Sequence, residues 1–220
     1  MTAPAPLPRR FFVRPPVPVA RDLLGHLLVR ELPEGRVLAR IVEVEAYLGE
    51  DDPAAHAYAG PTRRNAVLFG PPGHAYIYLS YGIHDCLNVS TLPAGRAGGV
   101  LFRALELWPG QPAGIEAALQ RRAPTSRPAR LLSGPGRLAR ALGITRALNG
   151  HDLTRRGPLY LARAPGRGHP AIAASPRVGI TKARELPLRF FLPESPAVSG
   201  PRRAPRPQKN LGTAPPDIAH

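Results

Sequence analysis

Between Ile41 and Tyr47 polar and apolar residues alternate at the strand period, which places Glu43, Glu45 and Tyr47 on one face and Val42, Val44 and Ala46 on the other. A strand packed into a core does not normally carry two carboxylates on one face, so this sheet is expected to turn a polar side toward a site. The same periodicities outline the rest of the chain. Residues 1–18 are Pro-rich and predicted extended. A short helix over 20–24 ends at Gly25, and strands over 26–32 and 37–47 make a hairpin about Pro33-Glu34-Gly35. A long loop is predicted over 48–73. Strands over 75–81 and 83–90 form a second hairpin that turns near Gly82, and a further strand follows over 99–105. Helices are predicted over 115–122 and 137–142, and short closing strands over 159–162, 177–180 and 188–191. From residue 193 onward Pro, Gly and Arg dominate and aromatic residues vanish, which predicts a disordered tail over 193–220.

Charge makes the carboxylates more informative. The chain carries a formal +15 over 220 residues, and its pI is about 11.4. Yet the window 41–62 holds Glu43, Glu45, Glu50, Asp51 and Asp52 and no Lys or Arg. A surface that attracts a polyanion loses binding energy wherever it places negative charge. Glu50, Asp51 and Asp52 read as acids that solvate a loop, whereas Glu45, inside a strand, calls for a purpose. Only Lys182 and Lys209 are lysines. Codon bias explains arginine in place of lysine but not the positive excess, and arginine forks match phosphate oxygens, so the expected partner is nucleic acid. The tail has four bases against two acids, so that partner is expected to bind the folded domain. The single cysteine, Cys86, excludes an intrachain disulfide and fits a reducing compartment. There is no apolar run of about twenty residues, and the N-terminus lacks the order of a signal peptide. A cytoplasmic, nucleoid-associated location is expected, with no membrane and no obligate protein partner, and the default state is a monomer.

The candidate chemistry is concentrated. The 48–73 loop carries His56, Tyr58, Arg63, Arg64 and Asn65, and five of the six tyrosines fall between Tyr47 and Tyr81. Tyr76 and Tyr78 share a face and Tyr81 has the opposite parity, so Tyr81 projects from the hairpin tip, suited to wedge into a base stack. Core packing with a satisfied hydroxyl is the alternative for each tyrosine and the preferred reading for Tyr76. His74, His84, Asp85 and Cys86 have no recognised metal-ligand spacing, and neither metal nor cofactor is expected. Ser133-Gly134-Pro135-Gly136 either offers amides to a phosphate or simply starts a helix; Arg63, Arg64 and Arg137 are candidate phosphate contacts. Glu45 with Arg103 is open to a structural ion pair, His56 to a surface or core role, Asn88 to turn hydrogen bonding, and Glu43 to a supporting or solvated position.

An ordered series of segments resembles the alkyladenine (3-methyladenine) DNA glycosylases of the mammalian type. It runs through Ala20-Arg-Asp-Leu-Leu-Gly-His-Leu-Leu-Val-Arg30, Ile41-Val-Glu-Val-Glu-Ala-Tyr-Leu-Gly49, Asp52-Pro-Ala-Ala-His56, Pro72-Gly73, Tyr76-Ile-Tyr-Leu-Ser-Tyr-Gly82, Cys86-Leu-Asn-Val-Ser90 and Val100-Leu-Phe-Arg-Ala-Leu-Glu106. It resumes at Leu132-Ser-Gly-Pro-Gly136, Arg177-Val-Gly179 and Pro187-Leu-Arg-Phe190. The resemblance implies an α/β glycosylase domain over 19–192, a curved and mainly antiparallel sheet with flanking helices and a protruding β-hairpin. It implies excision of alkylated or deaminated purines (3-methyladenine, 7-methylguanine, hypoxanthine, ethenoadenine) from duplex DNA by base flipping. By that match Glu45 is the carboxylate that activates water, and Arg103 orients it and balances charge. Tyr47, His56 and Tyr78 sandwich the flipped base, Asn88 crowds the 2-amino group of guanine, and Tyr81 is the wedge. The chain departs from the pattern in a longer 91–99 loop and in His84 and Asp85, where the pattern has aromatics. Lys182, the one lysine before the tail, lies outside the segments assigned to the pocket, so hydrolysis without strand cleavage is expected. The alternative is a nucleic-acid binder without catalysis; a tRNA-acting transferase lacks any nucleotide or folate motif here.

Overall fold

The computed structural model describes residues 3–200 except 167 and 169. Strands β1 (Leu27–Leu32), β2 (Gly35–Tyr47), β3 (Ala75–Ser80), β4 (His84–Ser90), β5 (Gly99–Leu107) and β6 (Leu159–Ala162) lie in the order β3-β4-β5-β2-β1-β6. Two short strands, β7 (Ala173–Ser175) and β8 (Arg189–Phe191), pair with each other and β8 also pairs with β2. Every pairing is antiparallel. The result is one curled, mixed α/β domain, as the sequence predicts. The long strand β2 is its spine: residues 35–40 pair with β1, while 43–45 are flanked by β5 and β8.

The helices are short: α1 (Pro16–Leu23), α2 (Ala66–Phe69), α3 (Ile115–Arg122) and α4 (Pro135–Ala141). Val19, Ala20 and Leu23 of α1 are buried against the side of β2 that carries Val42 and Val44. The helix starts four residues earlier than the periodicity predicts, because Pro16 sits at its first position, where a missing N–H costs nothing.

Larger differences from the sequence expectation lie in the N-terminal segment, the 48–73 segment and the predicted tail. The N-terminal segment is not an extended arm: Arg9–Phe11 form a 3-10 turn, Leu7 and Phe12 are buried, and Arg9 pairs with Asp152 at 2.6 Å. The 48–73 segment is not open loop. It contains a 3-10 turn at Gly49–Asp51 and the helix α2, and buried Asn65 binds the carbonyls of His56 and Gly60 at 2.9 and 3.0 Å. Gly49 has φ +80°, and a Cβ there would fall 2.0 Å from the Ala97 carbonyl oxygen, so the loop closes on the 91–99 segment only with glycine. The predicted tail begins too early: Ser195, Ala197 and Val198 are buried, and Ser199 reaches the site. Composition misled here because Pro and Ser cap and turn as readily inside a domain as outside it. The rest of that tail, 201–220, lies outside the described residues.

Candidate active site

The predicted shared face of Glu43, Glu45 and Tyr47 exists, but it is roofed over rather than solvated. Both glutamates are fully buried. A register irregularity between β2 and β5 sits at Glu43. Arg103, from the middle of β5, bridges the two carboxylates: its Nε donates to Glu43 at 2.9 Å and its Nη1 lies 3.3 Å from Glu45. Arg189, from β8, donates from Nε to Glu43 at 2.7 Å. The Val178 N–H donates to Glu45 Oε1 at 2.7 Å, and the Tyr47 hydroxyl donates to Oε2 at 3.0 Å. Two guanidiniums and two carboxylates thus neutralise one another in a buried cluster at the back of the fold's polar face.

Their carboxyls are nonetheless set differently. Burial would raise Glu43, but Arg103, Arg189 and the Ser199 N–H hold it below the ordinary carboxylate range. Burial also acts on Glu45, and there it wins: with Arg103 shared, the carboxyl is pushed above its ordinary value. Arg103, despite burial, is held more firmly protonated by Glu45 and Glu43.

Arg103 and Tyr47 form part of the wall of a cleft of about 590 Å³, together with His56, Tyr76, Tyr78 and Asn88. That size lies within the ~300–1,000 Å³ of small-ligand sites. The structure therefore brings together every residue expected to hold a base. His56 lies edge-on to Tyr78, ring centroids 4.3 Å apart, with Nδ1 2.9 Å from the Tyr76 hydroxyl. Tyr76, though buried as expected, therefore also fixes the histidine ring. Burial and the nearby Arg64 cation lower His56, so it is neutral at pH 7. Burial raises the hydroxyls of Tyr47 and Tyr78, which stay protonated. Asn88 is pinned by its Nδ2, which donates to the carbonyls of Tyr76 and Cys86 at 3.1 and 3.5 Å.

Tyr81 stands at the tip of the β3–β4 hairpin, 87% exposed, with Ile83 beside it at 72%. Tyr81 and Gly82 both have positive φ, +49° and +71°, and the Ile83 N–H donates to the Ser80 carbonyl at 3.0 Å. A tyrosine in the left-handed region costs about 1–2 kcal/mol, a strain of the kind that persists where a side chain must be aimed. His84 braces the hairpin against α4: a Cβ on Gly136 would fall 2.7 Å from its Cγ. Asp85 lies 3.5 Å from Arg146.

Of the three candidate phosphate contacts, Arg63 and Arg64 are exposed on the 48–73 segment. Arg137 instead donates from Nη1 to the carbonyls of Ala123 and Pro124, tying α4 to the end of α3. The Gly134 amide is likewise taken, by the Arg103 carbonyl at 2.8 Å.

Sequence reasoning missed several parts. Asp52 is not a solvated loop acid: it is fully buried and takes a bidentate fork from Arg177 at 2.5 and 2.9 Å. Arg177 in turn lies 4.6 Å from the Tyr47 ring centroid. Residues 177–180 form no strand, because the Val178 N–H serves Glu45 instead of a ladder. Lys182 does lie on the cleft wall, its Nζ 6.0 Å from the Tyr58 ring centroid, contrary to its expected position outside the pocket. Arg177 and Val178 belong to one of the resembling segments, so a signal was present without a role attached.

Comparison with known proteins fixes the class. The family model of the methylpurine-DNA glycosylases matches residues 10–196. Relatives provisionally named 3-methyladenine DNA glycosylases include proteins of Koribacter versatilis (53% identical, covering 90% of this chain and 95% of the relative) and Methanocella arvoryzae (49%, covering 90% and 97%). Another, from Methanoculleus marisnigri, is 51% identical over 88% of this chain and 98% of its own. The chain belongs to the methylpurine-DNA glycosylase family. It is a DNA N-glycosylase, a hydrolase of DNA repair that acts on DNA.

Proposed function

We propose that this chain extrudes alkylated or deaminated purine nucleotides of the 3-methyladenine, 7-methylguanine, hypoxanthine and ethenoadenine class from duplex DNA and hydrolyses their N-glycosidic bond. The observation that carries the reading is Glu45: a buried carboxylate, raised in pKa, directly behind the cleft wall and shared with one arginine. Oε2 bears the Tyr47 bond and keeps a lone pair for water. Water attacks C1′ as the glycosidic bond breaks, its electrons leaving with the base. Glu45 takes the proton from the water and, as an anion, offsets the oxocarbenium charge that develops on the sugar. Arg103 cannot act as the base, and orients the carboxylate. Tyr47, Tyr78 and neutral His56 supply ring faces and one ring-nitrogen hydrogen bond, and cationic N-alkylpurines suit the tyrosine faces. Tyr81 fills the gap left in the stack. The attacking group is water and not the Lys182 amine, although that side chain lies on the cleft wall, so the strand stays intact; the working form is a monomer on chromosomal DNA in the cytoplasm.

The test is single-turnover excision on end-labelled duplexes holding one hypoxanthine or one 1,N6-ethenoadenine, with abasic sites cleaved by alkali. Glu45→Gln is expected to slow excision by roughly 10²–10⁴-fold while DNA binding persists, and no strand break is expected before alkali. Release of 3-methyladenine alone, from methylated DNA, would narrow the substrates to charged leaving groups. No release from any substrate would leave a DNA-binding protein without catalysis.

A further inference from the structure

Glu43 is a second buried carboxylate that lies outside the cleft wall and has no part in the proposed reaction. It nevertheless collects four donors: Arg103 Nε at 2.9 Å, Arg189 Nε at 2.7 Å, and Ser199 twice, from the backbone N–H at 2.5 Å and from Oγ at 3.0 Å. Arg103 Nη2 also donates to Ser199 Oγ at 3.3 Å. Ser199 Oγ thus accepts from Arg103 and donates to Glu43, closing a ring along one edge of the guanidinium. Only Nη1 is left for Glu45, at 3.3 Å. Ser199 is held there by its own segment: Ala197 and Val198 are buried, the Ser195 N–H donates to the Leu192 carbonyl at 3.1 Å, and Gly200 packs on the Arg189 guanidinium.

We propose that Ser199 is a positioning residue for the excision centre: with Glu43 it grips the Nε/Nη2 edge of Arg103 and limits how closely that guanidinium closes on Glu45. The proposal deepens the proposed function and rests on Glu45 acting as the base. A carboxylate fully forked by an arginine is a poor proton acceptor, because the charge-assisted bonds favour its ionised form. Sharing Arg103 keeps Glu45 out of that state. The charged and titratable groups that bear on Glu45 are Arg103 from β5, Glu43 and Tyr47 from β2, Tyr78 from β3, and Arg177 from the segment after β7. Arg189, opposite Glu45 in register on β8, is turned to Glu43.

Ser199→Ala removes both Oγ bonds. Arg103 is then free to move toward Glu45. That move eases ionisation of Glu45. Single-turnover excision is expected to fall about tenfold on the plateau, and the acid limb of its pH profile to move to lower pH. Ser199→Thr, which keeps the hydroxyl at a half-buried position, is expected to restore both. Titration of the Glu45 side-chain carboxyl by carbon-13 NMR in the free protein reads the same downward move without turnover. A rate loss that tracks thermal stability while the limb stays put would make Ser199 structural only and overturn the proposal; so would an unmoved Glu45 carboxyl. A wild type that excises nothing, with the Glu45 carboxyl still moving down in Ser199→Ala, would sink the proposed reaction and leave the grip of Ser199 on Arg103 standing.

Discussion

Glu45 and Asp52 are seven residues apart, both fully buried, and both set against an arginine, yet their carboxyls move in opposite directions. Asp52 takes both guanidinium ends of Arg177, and further donors in the N–H groups of Leu48 and Ala54 at 3.1 and 3.0 Å. Burial alone would raise it, but those four bonds outweigh burial and hold it below the ordinary range. Glu45 has one backbone N–H, one phenol and a single arm of a shared arginine. Burial therefore wins. Depth in the protein does not decide which acid stays an inert anion and which is poised to take a proton; the supply of donors does. Glu43, with four donors, falls on the Asp52 side although it neighbours Glu45 on the same strand face.

The largest break in that comparison comes from removing the charge that is well served. Asp52→Asn leaves Arg177 buried and uncompensated, a loss of roughly 3–5 kcal/mol, read as a lower denaturant midpoint and melting temperature. The pH dependence has a definite sign. A carboxyl depressed in the folded state adds stability that is present above its unfolded pKa and fades as pH falls through its folded value. The difference between wild type and Asp52→Asn is therefore expected to shrink in acid. Unchanged stability at neutral pH would mean that the fork is worth no more than a surface pair.

How much of this could be read from the chain follows the same division. The β2 alternation and the Tyr81 hairpin tip are local patterns, set by a period of two and by a glycine, and they were legible. The partners were not. Asp52 stands in a run of three acids, and nothing in that run marks the one whose arginine lies 125 positions on. Ser199 sits in a Pro-rich stretch that reads as tail, and its carboxylate is 156 positions back. The resembling segments reached Arg177 and Val178 without disclosing that one would steady Tyr47 and the other would bond Glu45. Long-range ion pairing leaves no periodicity, so the polar floor was predictable and the circuitry beneath it was not.

Glu45→Gln is expected to act on stability with the opposite sign to Asp52→Asn. A carboxyl raised in the folded state costs stability when it is ionised at neutral pH, because between its unfolded and folded pKa the native form binds the proton more tightly. The neutral amide keeps an oxygen for Val178 and Arg103. It is expected to gain on the order of 1 kcal/mol, the usual exchange when a group kept for function is removed. A variant that loses excision and melts higher sharpens the comparison; one that melts lower would show that Arg103 needs the second charge.

The smallest effect is the cleanest probe of donor supply. Tyr47→Phe keeps the ring against Arg177 and deletes one bond to Glu45 Oε2. A hydrogen bond of this kind is worth roughly 0.5–1.5 kcal/mol, and it favours the ionised carboxylate. Without it Glu45 rises further, so the acid limb of excision is expected to move to higher pH, opposite to the direction expected for Ser199→Ala. At alkaline pH, where Glu45 is ionised in both proteins, the rates should differ little, because the ring that faces the base is unchanged. The two variants touch Glu45 from opposite sides, one taking a donor away and the other releasing one toward it. Limbs displaced in opposite directions would trace the profile to this carboxylate, whereas a common direction would assign it to another group.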